Sequence, residues 1–224
     1  MQSVVVSIGG SVILSEDADT VFLEKLGTLL TKLSKRYKLF IIVGGGTIAR
    51  SYIQRGRELK FDEEFLDQIG INITRVNARL LTNIIKLSNK EIPATTDEAK
   101  KIDKPTVVMG GTTPGHSTDM VGAELAEKTN ASRFVIATDV NGIYNKDPNK
   151  YRDAKQLKEV AIDQLIQQYG TTWDAAGKNI VIDNPALEII KRAKLRTSVV
   201  NGKQLDQLEK AITGQPFDGT TITF

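Results

Sequence analysis

The sequence has no cysteine and only one histidine and one tryptophan. Without thiols there can be no disulfide, no thiolate metal site and no cysteine nucleophile, and a reducing compartment is the default. No apolar run approaches the length needed to span a bilayer, so no membrane partner is expected. Met1-Gln2-Ser3 lacks a basic n-region, which removes the signature of a secretory leader; a cytoplasmic location is the expectation. No run of five like charges occurs, and 30 basic residues are mixed with 27 acidic ones for a net charge of +3. That pattern gives no electrostatic footprint for nucleic acid. The phosphate-binding pattern G-x-x-x-x-G-K-[ST] is also missing, which disfavours a P-loop kinase.

What is present is an ordinary globular composition, 40% hydrophobic and 25% charged over 224 residues. Short β-branched runs alternate with helical periodicity along the whole chain. Val4 to Ile8 is a buried strand ended by Gly9-Gly10-Ser11. Phe22, Leu23, Leu26, Leu29, Leu30 and Leu33 recur at helical spacing. Leu39 to Val43 is a second strand, and strand–helix–strand implies a right-handed crossover with parallel pairing. Residues 47–59 and 63–88 are helical in period; Lys90 to Lys104 reads as a loop with a short helix. Strands follow at Thr106–Met109, Phe134–Thr138, Thr197–Val200 and Thr220–Phe224. Helices are expected from Met120 to Lys128, from Asn184 (as N-cap, with Pro185) through Ala193, and over 204–212. The expected architecture is one α/β domain over residues 1–224 with a mostly parallel sheet.

Four strands end in polar or glycine-rich turns: Gly9-Gly10, Gly44-Gly45-Gly46, Gly110 to Asp119, and Thr138 to Asp147. In an open parallel sheet, ligands bind beyond the carboxyl ends of the strands. Three consecutive glycines before a helix bare backbone N–H groups at the positive end of its dipole, which suits a phosphate. Read alone, the same glycines could be a tight turn with no ligand. The Gly110–Asp119 loop adds the hydroxyls of Thr112, Thr113, Ser117 and Thr118, the histidine His116 and the carboxylate Asp119. These can hold phosphate oxygens, and Asp119 could hold Mg²⁺; equally, Thr118 or Asp119 could simply cap a helix. Gly44 to Ala49 also satisfies G-x-G-x-x-A, but a dinucleotide site needs an acidic residue at the end of the next strand. Here Glu63 and Glu64 open a helical stretch instead.

These loops resemble those of the amino acid kinase superfamily, and within it the archaeal-type uridylate kinases. The resemblance runs along essentially the whole chain. It rests on Ile8 to Val12, Val43 to Gly46 with Ala49-Arg50, Phe65 to Ile71 with Ile73-Thr74-Arg75, Met109 to Asp119, Thr138 to Tyr144 and Asp147-Pro148. It implies a three-layer αβα sandwich of the acetylglutamate kinase kind, with the N-terminal part mainly serving the acceptor nucleotide and oligomerisation and the C-terminal part mainly serving ATP. ATP contacts are implied at Gly9, Gly10, Gly46, Arg50, Thr138, Tyr144 and Asp147. UMP contacts are implied at Gly45, Asp67, Thr112, Thr113, Pro114, Gly115, His116, Ser117 and Thr118. Gly10, Gly46 and Asp119 are the implied catalytic positions, Mg²⁺ enters with ATP, and a hexamer built as a trimer of dimers is expected.

Two positions depart from the superfamily pattern. A lysine commonly precedes the first glycine turn, where this chain has Ser7. Bacterial uridylate kinases also tend to carry a lysine after the threonine at Thr138, where this chain has Asp139. Mg²⁺, Arg50, Lys146 and the N–H cradle are the remaining sources of positive charge. The expected reaction is transfer of the ATP γ-phosphoryl group to UMP, giving UDP and ADP. Two other readings stay open: a kinase of the same fold acting on a carboxylate, carbamate or other phosphate, for which Arg75 or Arg79 would serve, and a nucleotide- or oxyanion-binding protein without catalysis. The apolar stripe Phe65, Ile69, Ile73, Val76, Leu80, Ile84 and Leu87 is of a kind more often core than interface. A Gly46→Ala substitution is expected to impair transfer while leaving the fold intact.

Overall fold

Alternate residues of the first strand point to opposite faces, and Val4 to Ile8 are buried on both, so this strand lies between two layers. A computed structural model, which describes residues 1–14, 20–146, 148, 150–169 and 182–224, shows that arrangement. In chain order the elements are β1 (Gln2–Ile8), α1 (Gly10–Ile13), α2 (Thr20–Leu33), β2 (Tyr37–Val43), α3 (Gly46–Glu58), α4 (Glu63–Ile84), α5 (Thr96–Lys101) and β3 (Thr106–Met109). There follow α6 (Thr118–Lys128), β4 (Arg133–Thr138), β5 (Glu159–Ala161), α7 (Ile162–Tyr169), α8 (Asn184–Ala193), β6 (Thr197–Asn201), α9 (Leu205–Thr213) and β7 (Gly219–Thr223).

The strands form one seven-stranded sheet in the order β3-β2-β1-β4-β6-β7-β5. All pairs are parallel except β6 with β7. Val4, Val6, Ile8, Leu39, Ile41 and Val43 pack on one face with Leu26 and Leu30 of α2, Ala78 and Leu81 of α4, and Leu208 and Ile212 of α9. Val5, Phe40 and Ile42 pack on the other face with Ala99 of α5, Val121 and Leu125 of α6, Leu165 of α7, and Leu187 and Ile190 of α8. Helix, sheet, helix is the three-layer architecture. Asn89 finishes the β3 edge: its carboxamide donates to the Val108 carbonyl at 2.9 Å and accepts from the Val108 N–H at 2.7 Å. This side chain stands in for a missing strand neighbour.

Three local expectations need correction. α6 starts at Thr118 and is capped by Ser117, whose Oγ accepts from the Met120 N–H at 2.9 Å; neither Thr118 nor Asp119 is the cap. α8 is capped by Asp183 rather than Asn184, because the Asp183 carboxylate accepts from the Ala186 N–H at 3.0 Å. The third concerns α4. Its buried face carries Leu66, Ile71, Thr74, Asn77, Ala78 and Leu81. Part of the stripe chosen by hydrophobic period is turned outward, with Phe65 50% and Val76 67% exposed, while Ile69, Ile73 and Ile84 are half-buried and Leu87 lies beyond the helix. Polar residues displace apolar ones from the buried face because glycine loops, with carbonyls and N–H groups to satisfy, lie against it. β5 and α7 carry no sequence expectation at all, and β5 is only three residues long.

Candidate active site

β3, β2, β1 and β4 are consecutive neighbours and run parallel, so their carboxyl ends lie along one edge. That places the Gly9-Gly10, Gly44-Gly45-Gly46, Gly110–Asp119 and Thr138 turns side by side. The chain order reverses between β1 and β4, and such a switch point opens a crevice.

The first two turns are in backbone contact. A Cβ on Gly10 would lie 2.2 Å from the Gly46 nitrogen, and one on Gly46 would lie 2.6 Å from the Gly10 carbonyl carbon. Gly46 also has φ +66°, a left-handed conformation that side chains resist. Gly46→Ala would therefore force these turns apart, and the expectation that it leaves the local fold intact does not hold. α3 begins at Gly46 with Gly45 as its cap, and among the described residues no side-chain cap is seen. Its first-turn N–H groups are thus available to an anion at the crevice. Arg50 lies further along α3 with its side chain exposed.

α4 organises the other side. The Asp67 carboxylate accepts from the Gly115 N–H at 2.6 Å, tying α4 to the loop that carries Thr112, Thr113, Pro114, His116, Ser117 and Thr118. Arg75 donates to the Gly111 carbonyl at 3.2 Å and the Thr112 carbonyl at 3.4 Å. Arg79 instead faces the Lys90 carbonyl and Glu91. Of the two cations a carboxylate acceptor could draw upon, Arg75 lies against the Gly111–Thr112 backbone and Arg79 is engaged elsewhere.

At the floor, Ser7 fills the place of the superfamily lysine. It is buried, and its hydroxyl donates to Asp119 Oδ1 at 2.6 Å. Burial pushes the Asp119 carboxyl up to about 7; the nearby Asp183 charge adds to the rise and the Ser7 hydrogen bond opposes it. The residue is half-buried and keeps some exposed surface. Asp183 is held above the usual carboxylate range by burial, against hydrogen bonds from Ser117 and from the Ala186 N–H. The Ser117 hydroxyl bonds to its carboxylate, so one relay links the starts of α6 and α8. His116 Nδ1 is buried with no hydrogen-bond partner among the described residues.

On the β4 side the Thr138 carbonyl accepts from the Gly202 N–H at 2.8 Å, and the Thr138 hydroxyl lies 3.3 Å from Asp139. Tyr144 forms a bridge with Gln156. Lys146 pairs with Asp153 at 2.6 Å and sits over the Tyr151 ring. Asp147 lies outside the described residues. Gly9, Gly10, Gly45, Gly46, the Thr112–Asp119 residues and Thr138 lie on these carboxyl-end turns and Asp67 is bonded to one of them, whereas Arg79 faces away. Sequence reasoning missed Asn77 and the Ser7–Asp119 bond, which depend on contacts between distant segments, and missed Asp183 by placing the α8 cap one residue late, at Asn184.

Comparison with known proteins follows the same lines. The profile of the amino acid kinase family matches residues 2–201. The uridylate kinase of Methanocaldococcus jannaschii is 42% identical over 226 residues, 98% of each chain, and that of Thermococcus kodakarensis is 39% identical over 224 residues, again 98% of each. The crystal structure of uridylate kinase from Archaeoglobus fulgidus superposes with a TM-score of 0.87 at 37% identity over 100% of both chains. UMP kinase from Ureaplasma parvum shares the fold, with a TM-score of 0.80 at 22% identity.

Proposed function

The chain belongs to the amino acid kinase family, and we propose that it is a uridylate kinase, transferring the γ-phosphoryl group of ATP to UMP to give UDP and ADP. One observation carries the substrate assignment. The Asp67 carboxylate and the Thr112–Thr118 loop are joined by the Gly115 bond, beside a triple-glycine turn that heads a helix with no side-chain cap among the described residues. A carboxylate accepts hydrogen bonds from both ribose hydroxyls, while N–H groups and hydroxyls receive phosphate oxygens.

The acceptor is a phosphate monoester whose second pKa is about 6, so it is dianionic at neutral pH and needs no base. What the site must do is align two anions and offset their repulsion. Gly45 would face the acceptor phosphate and Gly9, Gly10 and Gly46 the ATP phosphates, with Arg50 adding charge. Thr138, Tyr144 and Asp147 would line the ATP side, and Lys146 would join them only by leaving Asp153.

Among the described residues no cluster of three or more His, Cys, Asp or Glu side chains could hold a metal. Mg²⁺ binds through one or two carboxylates plus substrate phosphates rather than an all-protein cage. Asp119 would hold it through the oxygen not bonded to Ser7. When bound, Mg²⁺ supplies charge neutralisation at the transferring phosphoryl group.

We further propose a homohexamer, built as a trimer of dimers, in the cytoplasm; the exposed apolar residues of α4 support self-association. Among the described residues no helix is long and apolar enough to cross a membrane. A coupled assay of ATP against UMP, CMP, AMP, glutamate and carbamate tests the assignment. UMP should give the highest kcat/KM by at least about tenfold, the worth of one lost polar contact. Preference for glutamate or carbamate would overturn the substrate, and nucleotide binding without turnover would overturn catalysis.

A further inference from the structure

On the buried face of α4, Asn77 and Thr74 lie one turn apart and are 2% and 7% exposed. Asn77 Nδ2 donates to the Gly44 carbonyl at 2.9 Å and the Gly45 carbonyl at 3.4 Å. Thr74 Oγ1 accepts from the Gly111 N–H at 2.7 Å and donates to the Ile71 carbonyl at 2.6 Å, so donor and acceptor are both used. One residue therefore holds the triple-glycine turn and the other holds the root of the Gly110–Asp119 loop. Both hang from a single helix of fixed rise. A Cβ on Gly110 would lie 2.6 Å from Thr74 Oγ1 and 2.8 Å from the Arg75 nitrogen, so this loop is drawn tight against the helix.

We propose that Asn77 and Thr74 are positioning residues that fix the spacing between the two loops, and so the in-line approach of acceptor and donor phosphates. This rests on the kinase reading above. Neither side chain need touch a substrate. Each loop keeps its own N–H groups and hydroxyls, so each substrate alone should bind as before when the spacing relaxes. What suffers is the joint geometry. A misplacement of 1 Å costs about 100-fold in rate.

The test uses the full-length chain with Asn77→Ala, Thr74→Val and Thr74→Ser, read in kcat, both KM values and thermal midpoint. The second readout is the affinity of a bisubstrate probe, adenosine and uridine joined through a pentaphosphate, against ADP and UMP alone. We expect kcat to fall about 10- to 100-fold in Asn77→Ala and Thr74→Val, with both KM values within about twofold. Bisubstrate affinity should fall by a similar factor while ADP and UMP affinities hold. Thr74→Ser should restore kcat, since it keeps the hydroxyl. If Asn77→Ala does not fold, the Thr74→Val and Thr74→Ser pair decides. Folded variants with unchanged kcat, or with KM values rising in step with the loss of kcat, overturn the proposal. A wild-type chain inactive on UMP overturns the kinase reading instead, which separates the two failures.

Discussion

At the scale of single residues, Ser7 stands where the superfamily pattern leads one to expect a lysine. Ser7 offers Asp119 a hydrogen bond where a superfamily lysine would offer a charge, and burial then dominates and raises the carboxyl to about 7. Titrated in the metal-free protein by carboxyl NMR, Asp119 should therefore show an upper limb near 7, while the pH profile of kcat/KM should show the limb near 6 that belongs to UMP itself. Ser7→Ala removes the only opposing influence and should move the upper limb higher. Asp183→Asn removes a like charge and should move it lower. In Asp119→Asn the UMP limb should remain, with turnover reduced far more than UMP binding; equal losses would argue against a role in the transition state. Stability carries the same signature. A carboxyl whose folded pKa lies above its unfolded value is harder to ionise in the native state, so its contribution worsens as pH rises from about 4 to about 7. In urea titrations wild type should match Asp119→Asn near pH 4 and fall behind it at pH 8. Asp67→Ala should raise KM for UMP much more than for ATP, and comparable rises would contradict a ribose contact.

At the scale of elements, the strand-end turns were legible because glycines and hydroxyls punctuate apolar runs, and their meaning survives without tertiary detail. α4 was legible as a helix but not in its facing. Period alone selects Phe65, Val76 and Leu80, whereas Thr74 and Asn77 are buried because backbone groups of two loops must be satisfied there. The link from Asp183 to α6 was hidden for a similar reason. Asp183 caps α8 and bonds to Ser117, which caps α6, a link between segments 66 positions apart. Asp183→Ala should cost about 1 kcal/mol for the lost cap and lower Tm by about 2–4 °C. Differential scanning calorimetry reads this directly, and an unchanged Tm would show that the cap carries no weight.

At the scale of the whole molecule, the sheet order could not be read from the sequence. Alternation of strand and helix implies parallel pairing, but the reversal between β1 and β4 depends on how the second half of the chain returns. That reversal brings four separately weak turns to one edge and makes them a site. The exposed apolar residues of α4 matter at the same scale: Phe65, Val76 and Leu80 are 50%, 67% and 39% exposed, with Tyr52 of α3 58% exposed. Leu80→Glu should reduce the solution mass measured by light scattering if this face joins copies of the chain. A wild-type monomer, or an unchanged mass in the variant, would contradict the assembly. The central claim is phosphoryl transfer between two bound nucleotides, and labelled transfer tests it most directly. With UMP and ATP carrying an isotopic label at the γ-phosphorus, the account predicts label at the β-phosphorus of UDP, formed one-for-one with ADP. Label recovered only in inorganic phosphate, or left in ATP, would contradict it.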